Sequence, residues 1–326
     1  MPRLTITIPA IGNWESLEAT LVSVLQYRPY DSEVMVALNR PYDDPYDLSG
    51  EVRFLELPRR SRFVDLANAG FAAAGGDIVH VLAAGAQASE NWVEPALRHF
   101  SEPQVSLVAP LMVDSGHTRV VAAGCAWSRG GKWSAFGAGA TLEKPLTTGR
   151  DWVGPDLLAG FYRRATLAEV GALDATLPAE LAAIDLGLRV RQVGRRALLE
   201  PACRVTVEER IPSPAGSFSQ GWHAERLFWR HLCGGNTASK LAAHAFAVVF
   251  EAAGAAVRPA NAVRAAGRIG GLCDPRRPRR TALADSEFPA QAAANDDRRV
   301  DGPHLVGSPA RGGRASINSF SHEATS

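Results

Sequence analysis

The sequence predicts an α/β fold, in which a mostly parallel sheet is flanked by helices and followed by an alanine-rich helical extension and a disordered tail. Three observations predict it. Over residues 4–109, β-branched and apolar runs alternate with amphipathic helical patterns. The links between them are short, as in right-handed βαβ units. Several runs are apolar almost without a break, which suits strands covered on both faces.

Leu4 to Pro9 (LTITIP) reads as the first strand, with Pro9 as its stop. Asn13 is placed to cap a helix, because Leu17, Leu21, Val24 and Leu25 then share one face. Glu33 to Leu38 is the second strand and the turn-rich NRPYDDPYDLSG follows it. Val52 to Leu57 is the third strand. Phe63, Leu66, Ala67, Gly70, Phe71 and Ala74 stripe the next helix. Asp77 to Leu82 is the fourth strand, Trp92 to Phe100 a helix, and Val105 to Ala109 the fifth strand. Ligands of such sheets bind beyond the carboxyl ends of the strands, which points to Pro9–Asn13, Asn39–Asp44 and Ala83–Ser89.

Residues 110–160 carry glycine and tryptophan in a loop-like pattern. Trp127, Trp133 and Trp152 there have the apolar faces to stack on sugar rings or to anchor loops. Ala165 to Val193 reads as a helical unit, Arg204 to Glu208 as a strand, and Trp222 to Leu232 as an aromatic helix. Residues 238–270 read as helical. From Cys273 the periodicity is lost, and PRRPRR opens a tail with eight arginines and seven acidic residues. The expected organisation is a main domain over 1–235, an alanine-rich extension over 236–272 and a tail over 273–326.

The chain has 326 residues, enough for a sizeable core, and a formal net charge of +1. No global field recruits nucleic acid, and no run of apolar residues is long enough to span a membrane. Whether the extension touches a membrane surface stays open at this point. The four cysteines show no metal-like spacing and read as reduced thiols. With no leader-like start, a cytoplasmic location is the expectation. The phosphate-loop motif GxxxxGK[ST], HExxH, GxSxG and a GxGxxG after the first strand are all missing. P-loop ATPases, zinc proteases, elbow hydrolases and ordinary dinucleotide enzymes lose support accordingly.

Five pieces in order carry a resemblance to a known family. They are LTITIPAIGNWESLEATLVSVLQ, EVMVALNRPYDD, LANAGFAAAGGDIVHVL, VLAAGAQASENWVEPAL and LLAGFYRRATLAEVGALDATLPAELAAIDLGLRVRQVG. Together, over roughly residues 3–235, they resemble family 2 glycosyltransferases of GT-A fold. The resemblance implies a nucleotide-sugar donor, a glycan or lipid-linked acceptor, and magnesium or manganese. It also implies an Asp-x-Asp metal motif, a Glu-Asp pair that includes the base, and aspartates that hold the nucleotide.

At matching positions this sequence has Ala83 and Gly85, then Ala182 and Ala183, then Leu38 and Asn39. RVTVEER lacks the histidine that family members often carry after the last strand. A divalent cation needs carboxylate oxygens, and alanine and glycine side chains supply none. The expectation is therefore a glycosyltransferase-like protein with weak or lost activity, or else a scaffold that binds a glycan, a nucleotide or a partner transferase. Glu180 and Asp185 are the candidate catalytic residues, and no metal ligands are assigned. Pro9, Asn39, Asn68, Arg226 and Arg230 are the candidate nucleotide-binding residues. Arg226 and Arg230 lie four apart on one helix face and so could grip a diphosphate. Asp43, Asp44 and Asp47 form a carboxylate cluster at a strand end, although Asp, Pro and Tyr there also make ordinary turns.

Overall fold

A computed structural model describes residues 4–207, 217–232, 237–254 and 259–273. The tail from residue 274, Cys233 and Glu208 lie outside the described residues. The first strand, β1 (Leu4–Ala10), is buried along its whole length. Helix α1 (Trp14–Tyr27) follows, and Asn13 caps it by accepting a hydrogen bond from the Ser16 amide. Its inner face buries Leu17, Leu21 and Val24, each contributing about 1.5–3 kcal/mol. Next come β2 (Ser32–Leu38), a 3₁₀ turn over Leu48–Gly50, β3 (Val52–Glu56), α2 (Phe63–Ala73) and β4 (Ile78–Leu82).

After β4 the chain makes a short β5 (Ala86–Gln87) and a one-and-a-half-turn α3 (Glu94–His99). The helix starts later than its sequence pattern, because Trp92 and Val93 are buried ahead of it and Pro95 favours the first turn. Strand β6 (Val105–Val113) is followed by the short β7 (Val120–Ala122), β8 (Cys125–Trp127), β9 (Trp133–Ala135) and β10 (Trp152–Gly154). Strand β11 (Ala159–Arg163) leads into α4 (Arg164–Val170), α5 (Ala179–Gln192) and β12 (Arg196–Val207).

The main sheet runs β3-β2-β1-β4-β11-β6-β12-β5, with β7 on β6. Its first four strands are mutually parallel, as are β6 and β12. Strand β11 is antiparallel to both β4 and β6 and joins the two parallel halves. The short strands β10, β8 and β9 make a separate antiparallel sheet.

The segment 165–193, read as one helical unit, is two helices. Gly171 turns the chain with φ of 84°, the turn of residues 171–178 intervenes, and Pro178 stands at the N-cap of α5. The strand expected at 204–208 begins at Arg196 instead, with a register irregularity between Glu200 and Arg204 that breaks the alternation.

Three more helices follow: α6 (Phe218–Arg230), α7 (Thr237–Ala253) and α8 (Pro259–Cys273). Helices α6 and α8 cross closely at glycines. A Cβ on Gly221 would collide with the Arg264 carbonyl, and one on Gly267 with the Phe218 carbonyl. Among the described residues no helix is long and apolar enough to cross a membrane.

Candidate functional site

The carboxyl ends of β1, β2 and β4 meet at one edge of the sheet, with α6 nearby. The residue after β2 is Asn39, only 6% exposed. Its side-chain amide donates to the Ser61 carbonyl at 3.0 Å. Its Oδ1 is buried and accepts no hydrogen bond. An amide oxygen in that state is costly unless something else satisfies it, by about 1–3 kcal/mol.

The loop after β4 is tied down by its backbone. Ala83 donates its amide to the Leu158 carbonyl at 2.8 Å and Ala84 to the Pro9 carbonyl at 3.3 Å. Gly85 donates to Ser16 O at 3.1 Å and to Thr20 Oγ1 at 2.9 Å. Ala88 then donates to Ser23 Oγ at 3.1 Å. Ser16, Thr20 and Ser23 share one face of α1, so that face fixes the loop. Gly85 has φ of 96°, a conformation that disfavours a side chain. Pro9 thus serves through its carbonyl, which holds the loop.

The Asp43–Asp47 stretch is a turn. The Asp44 carboxylate accepts from the amides of Leu48 at 2.9 Å and Ser49 at 3.1 Å. Among the described residues no three His, Cys, Asp or Glu side chains converge to hold a metal ion. The donor set at this edge therefore does not fit a carboxylate-held divalent cation.

Asn68 makes a two-way clamp. Its amide donates to Leu173 O at 2.9 Å and its Oδ1 accepts from Leu173 N at 3.0 Å. It fastens α2 to the turn between α4 and α5.

Asp185 is 1% exposed, inside the α5–α6 contact. Arg189 Nε reaches it at 2.8 Å, Arg230 at 3.1 Å and His231 Nε2 at 2.8 Å. Burial opposes its ionisation, but the His231 hydrogen bond and the positive charges around it outweigh that and hold its pKa far below the usual carboxylate range. A carboxylate so stabilised is a poor base. Arg230 also pairs with Asp174 at 2.7 Å, so this candidate is engaged in bracing the helix pair. Ala182 and Ala183 are buried in the core at its side. Glu180 stands half-buried in the first turn of α5.

Arg226, on the same face of α6 as Arg230, lies over the Trp222 ring, 4.4 Å from its centroid. His223 is its neighbour. Burial, then the charges of Arg226 and Arg62, push the His223 pKa down. Arg62 precedes α2 beyond the end of β3, so three basic side chains from two elements share this region. Trp152, one of the three loop tryptophans, is buried and donates Nε1–H to Ala123 O at 2.9 Å. Trp127 and Trp133 are cross-strand partners packed on the core.

Residues 5–124 match the family model described as glycosyl transferase family 2. No curated protein matches the sequence. Solved glycosyltransferases share the fold at low identity. GalNAc-T7 with UDP, GalNAc and Mn²⁺ is 19% identical with a TM-score of 0.51, over 69% of this chain and 47% of GalNAc-T7. The present chain therefore spans about half of that protein's length. The mannosyltransferase PcManGT from Pyrobaculum calidifontis, in complex with GDP-Man and Mn²⁺, is 16% identical with a TM-score of 0.50, over 84% of this chain and 88% of that one. Residues 1–349 of S. aureus TarS are 11% identical with a TM-score of 0.51, over 74% and 69% of the two chains. The fold of this chain is thus that of the GT-A glycosyltransferases.

Asp174, Arg189 and His231 escaped the sequence reading. The Asp185–Arg189 spacing of four on one helix was the available signal. Nothing local announces that α6 brings Arg230 and His231 to the same carboxylate.

Proposed function

We propose that the chain binds a nucleotide sugar at the carboxyl edge of β1, β2 and β4, and that sugar transfer to a glycan or lipid-linked acceptor is weak or lost. Asn39 carries the reading: a buried amide oxygen without a partner, at the end of β2, is suited to a hydrogen-bond donor of the base or ribose. Arg62 and Arg226 supply positive charge for a diphosphate in place of a metal, beside the neutral ring of His223. Glu180 remains the one candidate base whose carboxylate is not locked in the Asp185 cluster. The engagement of Asp185 by three basic side chains favours a second reading, a non-catalytic scaffold for a nucleotide, a glycan or a partner transferase.

Thermal stabilisation of the purified chain by UDP, GDP, dTDP, CMP and their sugars tests this, each with and without manganese. A nucleotide at 100 times its Kd adds about 2.7 kcal/mol. The expected result is stabilisation by one nucleotide class without manganese, lost in Asn39→Ala. No stabilisation by any nucleotide overturns the reading, and a strictly manganese-dependent shift overturns its metal-free part. Hydrolysis or transfer of the stabilising sugar nucleotide, compared with Glu180→Gln, then separates the weak enzyme from the scaffold.

A further inference from the structure

Helices α7 and α8 are built inside out. On α7 the exposed positions include Phe246 at 72%, Val249 at 67% and Phe250 at 71%. The Phe246 and Phe250 rings stack at 6.1 Å. On α8 the exposed positions include Val263, Ile269 and Leu272. None of the exposed residues on either helix carries a charge.

The charged and polar groups turn inward. His244 places Nδ1 at 2.9 Å from Gly130 O and Nε2 at 3.0 Å from Glu225, and stacks on Phe228 at 3.8 Å. Arg268 bridges Glu225 at 3.3 Å and Glu251 at 2.8 Å, and donates to Gly131 O at 2.8 Å. Arg264 pairs with Glu251. The network fastens both helices to α6 and to the turn between β8 and β9. Positive partners and hydrogen bonds outweigh burial and hold the Glu225 pKa down. Paired charges inside and an apolar outside reverse the arrangement of a helix facing water.

The chain then continues from Cys273 into Asp-Pro-Arg-Arg-Pro-Arg-Arg, with Arg276, Arg277, Arg279 and Arg280. At no more than about 3.5 Å per residue these arginines stay within about 25 Å of the end of α8. Glu251 is the one acidic residue within α7 and α8, and it is already paired with two arginines.

We propose that this face docks on an anionic lipid bilayer. The apolar side of α7 and α8 enters the boundary between headgroups and acyl chains, and the arginine run meets lipid phosphates. Phe218 and Trp229 of α6 are exposed beside the same helices, and an indole suits that depth. A protein partner would match the apolar face alone, whereas four adjoining arginines against the single Asp274 in the same run, with Glu251 already paired, favour lipid phosphate. This inference does not depend on the donor-site reading.

Flotation of the full chain with phosphatidylcholine vesicles, with and without 30% phosphatidylglycerol by design, tests it. Binding is expected to the anionic vesicles and to weaken at high salt. The double variant Phe246→Ser, Phe250→Ser and the quadruple change of Arg276, Arg277, Arg279 and Arg280 to Gln should each weaken it at least about tenfold. The arginine variant leaves both helices untouched, so the test survives if the phenylalanine variant misfolds. Absence of binding to either vesicle, or equal binding by wild type and the arginine variant, overturns the proposal. A dimer that Phe246→Ser dissolves, with no vesicle binding, assigns the face to a second copy and overturns it as well.

Discussion

Asp185 on α5 and Arg230 on α6 face each other at 3.1 Å, and Arg189 and His231 close on the same carboxylate at 2.8 Å. The position that resembles a catalytic-segment aspartate is thereby the centre of a buried bridge between two helices. A group that must stay ionised and fully hydrogen-bonded to hold a fold is the opposite of one poised to take a proton.

Replacing Asp185 by Asn should lower stability at pH 7 by about 3–5 kcal/mol, because Arg189 and Arg230 lose their buried counter-charge. The carboxylate is held well below its ordinary value of 3.8. Its stabilising effect is therefore complete above pH of about 5 and declines as acid protonates the unfolded chain. Urea denaturation at pH 7 and pH 3 reads both effects: the gap between variant and wild type should narrow in acid. An equal gap at both pH values would rule this out.

Asn68→Ala removes both hydrogen bonds to Leu173 and leaves a backbone amide and carbonyl without partners. A loss of about 2–4 kcal/mol is expected, and Asn68→Asp should also destabilise because it cannot donate to Leu173 O. If nucleotide stabilisation persists at a matched margin above the lowered Tm, the role is structural. Selective loss of nucleotide binding in a chain of unchanged Tm would instead place Asn68 at the ligand.

His80 lies in the centre of β4, stacked 3.9 Å from Phe161, with Nδ1 3.0 Å from Gly160 O. Complete burial lowers its pKa from 6.5 to about 3. The neutral ring is favoured in the fold, so its contribution is fully present above pH 6.5. It is lost as pH falls toward 3, by about 1.4 kcal/mol per unit. His80→Leu should be less stable than wild type at pH 8 by about 1 kcal/mol for the lost hydrogen bond, yet lose less on acidification to pH 4. Parallel pH profiles would contradict the assignment.

Placing acids in the loop after β4, as Ala83→Asp with Gly85→Asp, should not create manganese binding. The Gly85 conformation disfavours a side chain, and no third ligand converges among the described residues. A destabilisation of about 1–3 kcal/mol is expected. A manganese-dependent rise in Tm of the double variant would show that a site needing only those two groups survives.

The parallel half was legible because its signals are local. Residues 4–82 declare themselves through β-branched runs, an Asn13 cap and a stripe of alanine and phenylalanine on α2. The start of β12 was not, since Glu200 and Pro201 interrupt its pattern and pairing with β6 overrides local preference. Arg226 and Arg230 looked like a single pair from their spacing, but one covers an indole and the other joins two aspartates. Spacing fixes a shared helix face, while the partners on other elements decide what each side chain does. The same limit hid Glu225, His244 and Arg268, which lie far apart in the chain and meet only when three helices pack.

The place of β11 between β4 and β6 bears on how the chain is made. Strands β1 to β4 leave the ribosome before β11, so the edge of β4 gains its neighbour only when residues 159–163 appear. Until then a nascent chain holds a four-stranded parallel sheet whose β4 edge is bare in addition to the β3 edge, open to pairing with other nascent chains. A fragment cut at residue 124, where the family match ends, keeps that bare edge permanently. Such a fragment should precipitate where the longer chain does not, so a soluble expression unit has to extend past β11 and through β12, the other neighbour of β6.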